Sequence, residues 1–309
     1  MGRCSALIGE GRRAGTVTYV SALLRVVMSP TGRKVCAGLG VSAASIVVPF
    51  IELRIARHGH KIIEQDFKLD GHVGHEGVAS AARATPLHIV WLGDSTAAGV
   101  GADGVDGALP RQVATHLTRP VSMNVFARSG ARIADVVAQQ VPRLASLGSA
   151  PDLILVSVGA NDVSGRTPRR AFVRDYTTML EASVATGARV VVLGVPDMSC
   201  ALVLAEPLRT FVGMRARVVD RWLRAAVANH GGVGYVDLTG RKRVPRRALG
   251  DYLCADRYHP NDAGYRVWAA LVGERVTEFL NQPVVVGGGL VEELGVALHH
   301  NASGATVAS

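Results

Sequence analysis

Cysteine is scarce in this sequence. The 309 residues include only Cys4, Cys36, Cys200 and Cys254. Their spacing fits no arrangement of metal ligands, and four cysteines are too few for the framework of a disulfide-stabilised scaffold. The chain must therefore fold around a hydrophobic core, for which its 48% content of hydrophobic residues is ample. Its length allows one large domain or two small ones.

No nucleic-acid-binding motif accompanies the positive charge of the chain. The formal net charge is +9, but the 34 basic residues are spread along the sequence. The densest run, RKRVPRR at 241–247, is typical of a solvated loop. A basic chain suits nucleic acid or an anionic membrane surface. Without a motif, we expect no nucleic-acid partner.

One long stretch near the N-terminus has no charged residue. Residues 35–51 contain 17 uncharged residues, preceded by Arg33-Lys34 and followed by Glu52. That length is at the lower limit for crossing a bilayer. A signal peptide fits less well because no small-residue cleavage site follows at the right distance, and a buried helix fits less well because the stretch is not amphipathic. We predict an uncleaved membrane anchor.

Composition divides the chain into five segments. They are a basic tail at 1–34, an anchor-like transmembrane helix at 35–57, a linker at 58–85, a main domain at 86–281 and a flexible tail at 282–309. Basic residues flank both ends of the uncharged stretch, so charge does not decide the orientation of an anchor.

From His88 onward, apolar runs of strand length alternate with stretches of helical periodicity. This pattern predicts a parallel sheet covered by helices. The predicted strands are 88–92, 121–126, 152–158, 189–194 and 233–237, and the predicted helices are 108–118, 131–146, 169–186, 207–229 and 261–280. Ligands bind beyond the carboxyl ends of the strands in such sheets, so the residues just after each strand are the candidates for a site.

The first strand ends in Gly93-Asp94-Ser95, which makes Ser95 a candidate nucleophile. Small residues follow, so a helix could begin there with its free N–H groups near Ser95. Gly-Asp-Ser is also ordinary turn chemistry, in which the side chains bond neighbouring backbone groups.

Three later positions complete a candidate site. Gly130 can bring its N–H close to a ligand, and the Asn161 amide can donate to a developing oxyanion. Asp256 and His259 stand three residues apart, as an acid and a base would. Each feature alone is more often structural, but together they supply a hydroxyl, a base with its carboxylate and two donors.

The candidate residues lie in four short sequence blocks, and these blocks resemble those of the SGNH hydrolases of the GDSL family. That family carries, in order, a nucleophilic Ser, a Gly, an Asn and an Asp-x-x-His. Here they correspond to Ser95, Gly130, Asn161 and Asp256 with His259. The similarity covers roughly residues 86 to 281. Thr in place of the Leu of the family name is a departure that leaves the chemistry intact.

The resemblance implies a flavodoxin-like three-layer α/β/α sandwich with about five parallel strands. Ser95 would attack an acyl carbonyl, His259 would take and return its proton, and Asp256 would hold the imidazole in the useful tautomer. The N–H groups of Ser95 and Gly130 and the Asn161 amide would form the oxyanion hole. No metal or organic cofactor is required.

The implied function is hydrolysis of carboxylic esters, either lipid or short-chain acyl esters. Deacetylation of a cell-envelope carbohydrate is the alternative within the family, and a membrane-bound binding domain without turnover is the alternative outside it. An ordinary α/β-hydrolase fits less well because Ala97 occupies the second glycine position of Gly-x-Ser-x-Gly. The oligomeric state is left open.

The anchor and the site together predict a membrane-anchored protein with its catalytic domain outside the cytoplasm, or a secreted one if the N-terminal segment is cleaved. Cys200 and Cys254 fall on loops at the catalytic edge of the sheet, so an exported domain could join them in a disulfide. Independent packing of two small apolar side chains is the alternative.

The anchor is tested by fractionation. If residues 35–51 span a membrane, the full chain should sediment with membranes and stay there in high salt and in carbonate, because apolar insertion does not depend on charge. A chain starting near residue 80 is the control and should be soluble and still active, because all four blocks of candidate residues lie beyond it. Release of the full chain by salt alone would contradict the anchor and leave electrostatic attachment.

Overall fold

The sheet has six strands in the computed structural model, which describes residues 67–74, 85–239 and 246–282. The strands are β1 Gly71–Val73, β2 Leu87–Gly93, β3 Val121–Val125, β4 Leu153–Ser157, β5 Arg189–Leu193 and β6 Val233–Val236. They lie in the order β1-β3-β2-β4-β5-β6. β2 to β6 are parallel, and β1 pairs antiparallel with the outer side of β3.

Helices cover both faces of the sheet. They are α1 Leu109–Thr115, the composite α2 (Ile133–Asp135, a π-helical turn Val136–Gln140, and Val141–Leu144), α3 Ala160–Gly165, α4 Arg169–Val184, α5 Leu208–Ala228 and α6 Asp262–Asn281. α1 and α6 pack on one face, and α2, α4 and α5 on the other. Pro142 has no N–H to continue an α-helical ladder, which accounts for the wider turn just before it.

The predicted three-layer sandwich with five parallel strands is confirmed. The parallel strands follow the flavodoxin order, in which the second lies outside the first and the remaining three extend the other side. Each predicted strand boundary falls within one residue of the observed one. The short helix α3 and the 3₁₀ turns at Val105–Gly107, Met198–Cys200 and Arg246–Tyr252 were not predicted.

Alternate residues of the central strands pack into opposite layers. In β2, Val90 and Leu92 face α4 and α5, whereas Ile89 and Trp91 face α1 and α6. Every residue of β4 is buried. A strand covered on both faces needs a nearly continuous apolar run, and this is why the central strands stand out in the sequence.

Residues 67–74 do not form a linker, although they lie within the predicted linker 58–85. Leu69 is buried, Gly71–Val73 forms β1, and the Asp70 carboxylate accepts a hydrogen bond from the Val125 N–H at 2.6 Å. This piece of chain therefore belongs to the domain, and a chain starting near residue 80 would lack it. A strand of three residues is too short to carry a recognisable alternation, and so the composition alone suggested a spacer.

The basic tail 1–34, the anchor-like helix 35–57 and residues 283–309 lie outside the described residues. Within the described ranges, no helix is both long and apolar enough to cross a membrane. The anchor and the boundaries of these segments stay predictions.

Leu69 should contribute strongly to stability although it lies near the sheet edge. Its side chain is 2% exposed, and a Cβ on Gly99, in the turn after Ser95, would lie 3.5 Å from its Cδ1. Leu69→Ala should lower the free energy of unfolding by about 2–4 kcal/mol, because burial is lost and a cavity remains. Denaturant unfolding measures the change. His72→Ala, at an exposed position of β1, is the control, and equal losses in the two variants would contradict the packing role of Leu69.

Candidate active site

Ser95 lies where three segments meet at the carboxyl edge of the sheet. The Asp94 N–H donates to the Ser157 carbonyl at the end of β4, at 2.9 Å. The Arg128 N–H, from the segment after β3, donates to the Gly93 carbonyl at 3.1 Å. The chain order reverses between β2 and β4, and this is the position where doubly wound sheets bind ligands.

Two residues fix the end of β2 just before Ser95. Gly93 has φ +151°, and a Cβ there would overlap the Ser157 carbonyl oxygen, so only glycine fits. The buried Gln140 side chain accepts from the Gly93 N–H at 2.7 Å and donates to the Gly93 carbonyl at 2.8 Å. Gln140 thus satisfies both backbone groups of Gly93. The sequence did not identify Gln140, because its side chain is directed towards Gly93 by a π-helical turn that could not be predicted.

The residues after Ser95 form successive turns, and the helix start expected there is wrong. The Ala98 N–H donates to the Asp94 carbonyl at 3.0 Å, but the Val100 N–H reaches back to the Ser95 carbonyl at 2.9 Å. The Asp94 side chain accepts from the Thr96 N–H at 3.0 Å, which is the local turn bond expected of Gly-Asp-Ser. The Ser95 N–H has no acceptor in the part of the chain that the structure describes. Its use as an oxyanion donor stays a prediction.

His259 lies between Ser95 and Asp256. Its Nε2 is 2.9 Å from Ser95 Oγ, and its Nδ1 is 2.6 Å from Asp256 Oδ2. The three residues are 4% to 8% exposed. This arrangement is the one expected of a triad, in which Nε2 of the ring accepts the serine proton and Nδ1 donates to the carboxylate. The catalytic roles themselves stay predictions.

The Asp256 carboxylate is held in its charged form. Burial alone would raise its pKa, but the hydrogen bonds from the His259 ring, the Cys254 thiol and the His259 backbone outweigh burial and keep the pKa well below its usual range. Oδ1 accepts from the backbone N–H groups of Tyr258 at 2.8 Å and His259 at 2.9 Å. The carboxylate is therefore both charged and oriented.

The loop that carries Asp256 and His259 is closed by its own backbone. The Cys254 N–H donates to the His259 carbonyl, and the Arg257 N–H donates to the Cys254 carbonyl, each at 2.9 Å. Asn261 then caps α6 by accepting from a backbone N–H of its first turn at 3.0 Å. These bonds fix the spacing between the acid and the base.

Gly130 and Asn161 lie on neighbouring segments. Gly130 has φ +78°, and its N–H has no acceptor among the residues that the structure describes. The Asn161 side-chain amide donates to the Ala131 carbonyl at 3.1 Å, so one of its two hydrogens is used. Asp162 accepts from the Ile133 N–H at 3.1 Å and joins the same two segments. The use of Gly130 and Asn161 as oxyanion donors stays a prediction.

Asp94 is a second buried carboxyl beside these residues. Burial raises its pKa to about 7, although the Thr96 N–H and the nearby His259 partly offset the effect. The folded protein therefore holds a proton that the unfolded chain releases near the ordinary pKa of 3.8. The free energy of unfolding therefore falls as the pH rises from 3.8 to about 7, because over this range the folded protein still holds the Asp94 proton that the unfolded chain has released.

Of the two alternatives for Cys200 and Cys254, the structure has the separate side chains, because no disulfide joins them. Their loops do meet, since the Val203 N–H donates to the Arg257 carbonyl at 3.2 Å. The Cys254 sulfur instead lies 3.0 Å from Asp256 Oδ1. The sequence placed both cysteines at one edge, but it held no information on the direction of either side chain.

The fold and the polar residues at its carboxyl edge are those of an SGNH-type hydrolase. The sequence pattern of the GDSL-like Lipase/Acylhydrolase family matches residues 91–267, and the chain belongs to this family of carboxylic ester hydrolases. It is 31% identical over 250 residues to the GDSL-like esterase Rv1075c of Mycobacterium tuberculosis, covering 74% of this chain and 78% of the relative.

The chain is also similar to a further curated protein and to a solved structure. The chain is 29% identical over 197 residues to a lipase from Streptomyces rimosus, covering 51% of this chain and 72% of the lipase. The crystal structure of the psychrotrophic esterase EstA from Pseudoalteromonas sp. superimposes with a TM-score of 0.51 at 14% identity, covering 63% of this chain and 99% of EstA. At that identity the similarity to EstA concerns the fold alone.

Substitution of the candidate residues tests their roles. Ser95→Ala and His259→Ala should each remove nearly all ester turnover, and the double variant should lose little more, because a triad acts as a unit. Asn161→Ala should lower kcat by roughly 10²–10³, the effect of removing one oxyanion donor. Asp256→Asn should cost less than the loss of Ser95. Steady-state hydrolysis of a soluble chromogenic ester measures these effects.

The control for these variants is Ser164→Ala, an exposed serine on α3, which should keep the parent rate. Circular dichroism checks that each variant is folded. Ester hydrolysis by Ser95→Ala at the parent rate would rule out Ser95 as the nucleophile.

Proposed function

We propose that this protein hydrolyses carboxylic esters of lipids or short-chain acids through an acyl-enzyme on Ser95. The observation that carries the proposal is the buried chain of contacts from Ser95 Oγ through the His259 ring to Asp256, at 2.9 and 2.6 Å. A hydroxyl so placed can lose its proton to the ring at the moment of attack.

In the first half of the reaction, His259 Nε2 takes the hydroxyl proton while Ser95 Oγ attacks the carbonyl carbon of the ester. The Asp256 carboxylate stabilises the imidazolium that forms. The carbonyl oxygen becomes negative and accepts hydrogen bonds from the N–H groups of Ser95 and Gly130 and from the Asn161 amide. His259 then gives its proton to the leaving alcohol, and the acyl group stays on Ser95.

In the second half, water replaces the alcohol. His259 takes a proton from the water as its oxygen attacks the acyl carbon, and the same donors stabilise the second oxyanion. Collapse releases the acid and returns the proton to Ser95 Oγ. Burial of the three side chains keeps the local dielectric constant low, so each of these electrostatic contacts is stronger than it would be in water.

Apolar surface near the catalytic edge favours substrates with a hydrocarbon part. Phe211 and Met214 lie one turn apart near the start of α5, 55% and 45% exposed. The loop before α5 contacts the triad loop through Val203 and Arg257. Adjacent exposed apolar side chains offer a contact surface for a hydrocarbon group, and this pair supports the choice of a lipid or acyl ester. The lipase from Streptomyces rimosus among the relatives agrees with this choice.

We also propose that residues 35–51 tether the domain at 86–281 to a membrane, with the catalytic site outside the cytoplasm, or that the domain is secreted if this segment is cleaved. The uncharged length of the segment and the basic residues before it support the tether.

A fluorophosphonate probe tests the proposed chemistry directly. Ser95 Oγ should displace fluoride and form a stable phosphonate ester, because the probe imitates the tetrahedral intermediate. Mass spectrometry of the labelled peptide should locate the adduct on Ser95, and Ser95→Ala should stay unlabelled while Ser164→Ala labels normally. Failure of the parent protein to label or to hydrolyse any ester would favour a binding domain without turnover.

The same preparation then distinguishes the substrate classes. A series of chromogenic esters of increasing acyl length is assayed beside an acetylated sugar. We expect kcat/KM for at least one acyl ester of the series to exceed that for the acetylated sugar. A clear preference for the acetylated sugar would instead assign the protein as a carbohydrate deacetylase.

A further inference from the structure

The Cys254 thiol donates a hydrogen bond to the acid of the proposed triad. Its Sγ lies 3.0 Å from Asp256 Oδ1. Burial, with the neighbouring Asp256 carboxylate, raises the pKa of the thiol to about 11, so the sulfur keeps its proton at neutral pH. A protonated thiol beside a carboxylate can only donate.

The two oxygens of Asp256 have different partners. Oδ2 faces the ring nitrogen Nδ1 of His259 at 2.6 Å. Oδ1 accepts two backbone N–H groups from the following residues and the thiol of Cys254. Within the described residues, Cys254 is the one side chain other than His259 that donates to this carboxylate. Donors on Oδ1 draw negative charge away from the oxygen that faces the ring.

Cys254 is itself held in place on two sides. Its N–H and carbonyl bond to His259 and Arg257 at 2.9 Å each. A Cβ on Gly101, in the turn after Ser95, would lie 3.3 Å from the sulfur. The sulfur therefore lies between the triad acid and the turn that follows the nucleophile.

We propose that Cys254 is a positioning residue of the triad, whose thiol orients the Asp256 carboxylate and limits the charge that it presents to His259. The proposal rests on the proposed roles of Ser95, His259 and Asp256. Without the thiol proton, Oδ2 carries more negative charge, and the protonated, inactive form of the imidazole becomes more favourable. The carboxylate also loses one of the bonds that fix its orientation.

The pH dependence of kcat/KM tests this role. In Cys254→Ala, the midpoint of the acid limb should move to higher pH by roughly half a unit, the effect expected from the loss of one weak donor to a charged group. Turnover at the pH optimum should fall by roughly fivefold, because the carboxylate is less well oriented. In Cys254→Ser, the hydroxyl can donate in place of the thiol, and both values should return towards those of the parent protein.

Cys200→Ala, which removes a thiol from the neighbouring loop, is the matched control and should leave the midpoint unchanged. If Cys254→Ala is too unstable to assay, Cys254→Val fills the volume without a donor and should show the same shift. In an Asp256→Asn background, Cys254→Ala should produce no further shift, because the carboxylate charge is already absent.

A drop in thermal stability without a shift of the midpoint would overturn the proposal, and so would equal shifts in the Ala and Ser variants. These outcomes differ from failure of the proposed function. If Ser95→Ala retains turnover, the triad assignment fails, whereas an inactive Ser95→Ala with an unshifted Cys254→Ala rejects only the role of the thiol.

Discussion

One carboxylate, Asp256, holds together the loop that carries the candidate acid and base of this hydrolase. It bonds the ring of His259, and it also accepts the backbone N–H groups of Tyr258 and His259. The charge that would stabilise the imidazolium during turnover therefore also folds the loop that carries the imidazole. Because its pKa is lowered in the folded state, its contribution to stability is present above the ordinary pKa of 3.8 and is lost as the pH falls below that value.

The candidate nucleophile depends on a different part of the fold. Ser95 is placed by the end of β2, where Gly93 is bonded by Gln140 and by the Arg128 N–H. The central sheet thus fixes the hydroxyl, and a separate loop carries the candidate acid and base. The two halves meet through the 2.9 Å contact between Ser95 and His259, which are 164 residues apart in sequence.

How far the sequence predicts this protein depends on the kind of information each feature needs. Strands such as β2 and β4 were predictable because burial on both faces demands continuous apolar runs. The candidate residues Ser95, Gly130, Asn161, Asp256 and His259 could be proposed because they occur in ordered blocks. β1 was missed because three residues carry no periodicity. The directions of the Gln140 and Cys254 side chains depend on a π-helical turn and on a closed loop, which are tertiary features. For the same reason, the sequence could not decide between a disulfide and two separate side chains at Cys200 and Cys254.

The antiparallel strand β1 also has a consequence for the solubility of the domain. Without it, β3 would be the edge of the sheet, and the backbone groups of residues 121–123 that now pair with Gly71–Val73 would face solvent. Exposed strand edges are templates on which a second chain can add its own strand. β1 replaces the five-residue edge of β3 by an edge of only three residues, so we expect the segment 67–74 to make such strand addition less favourable.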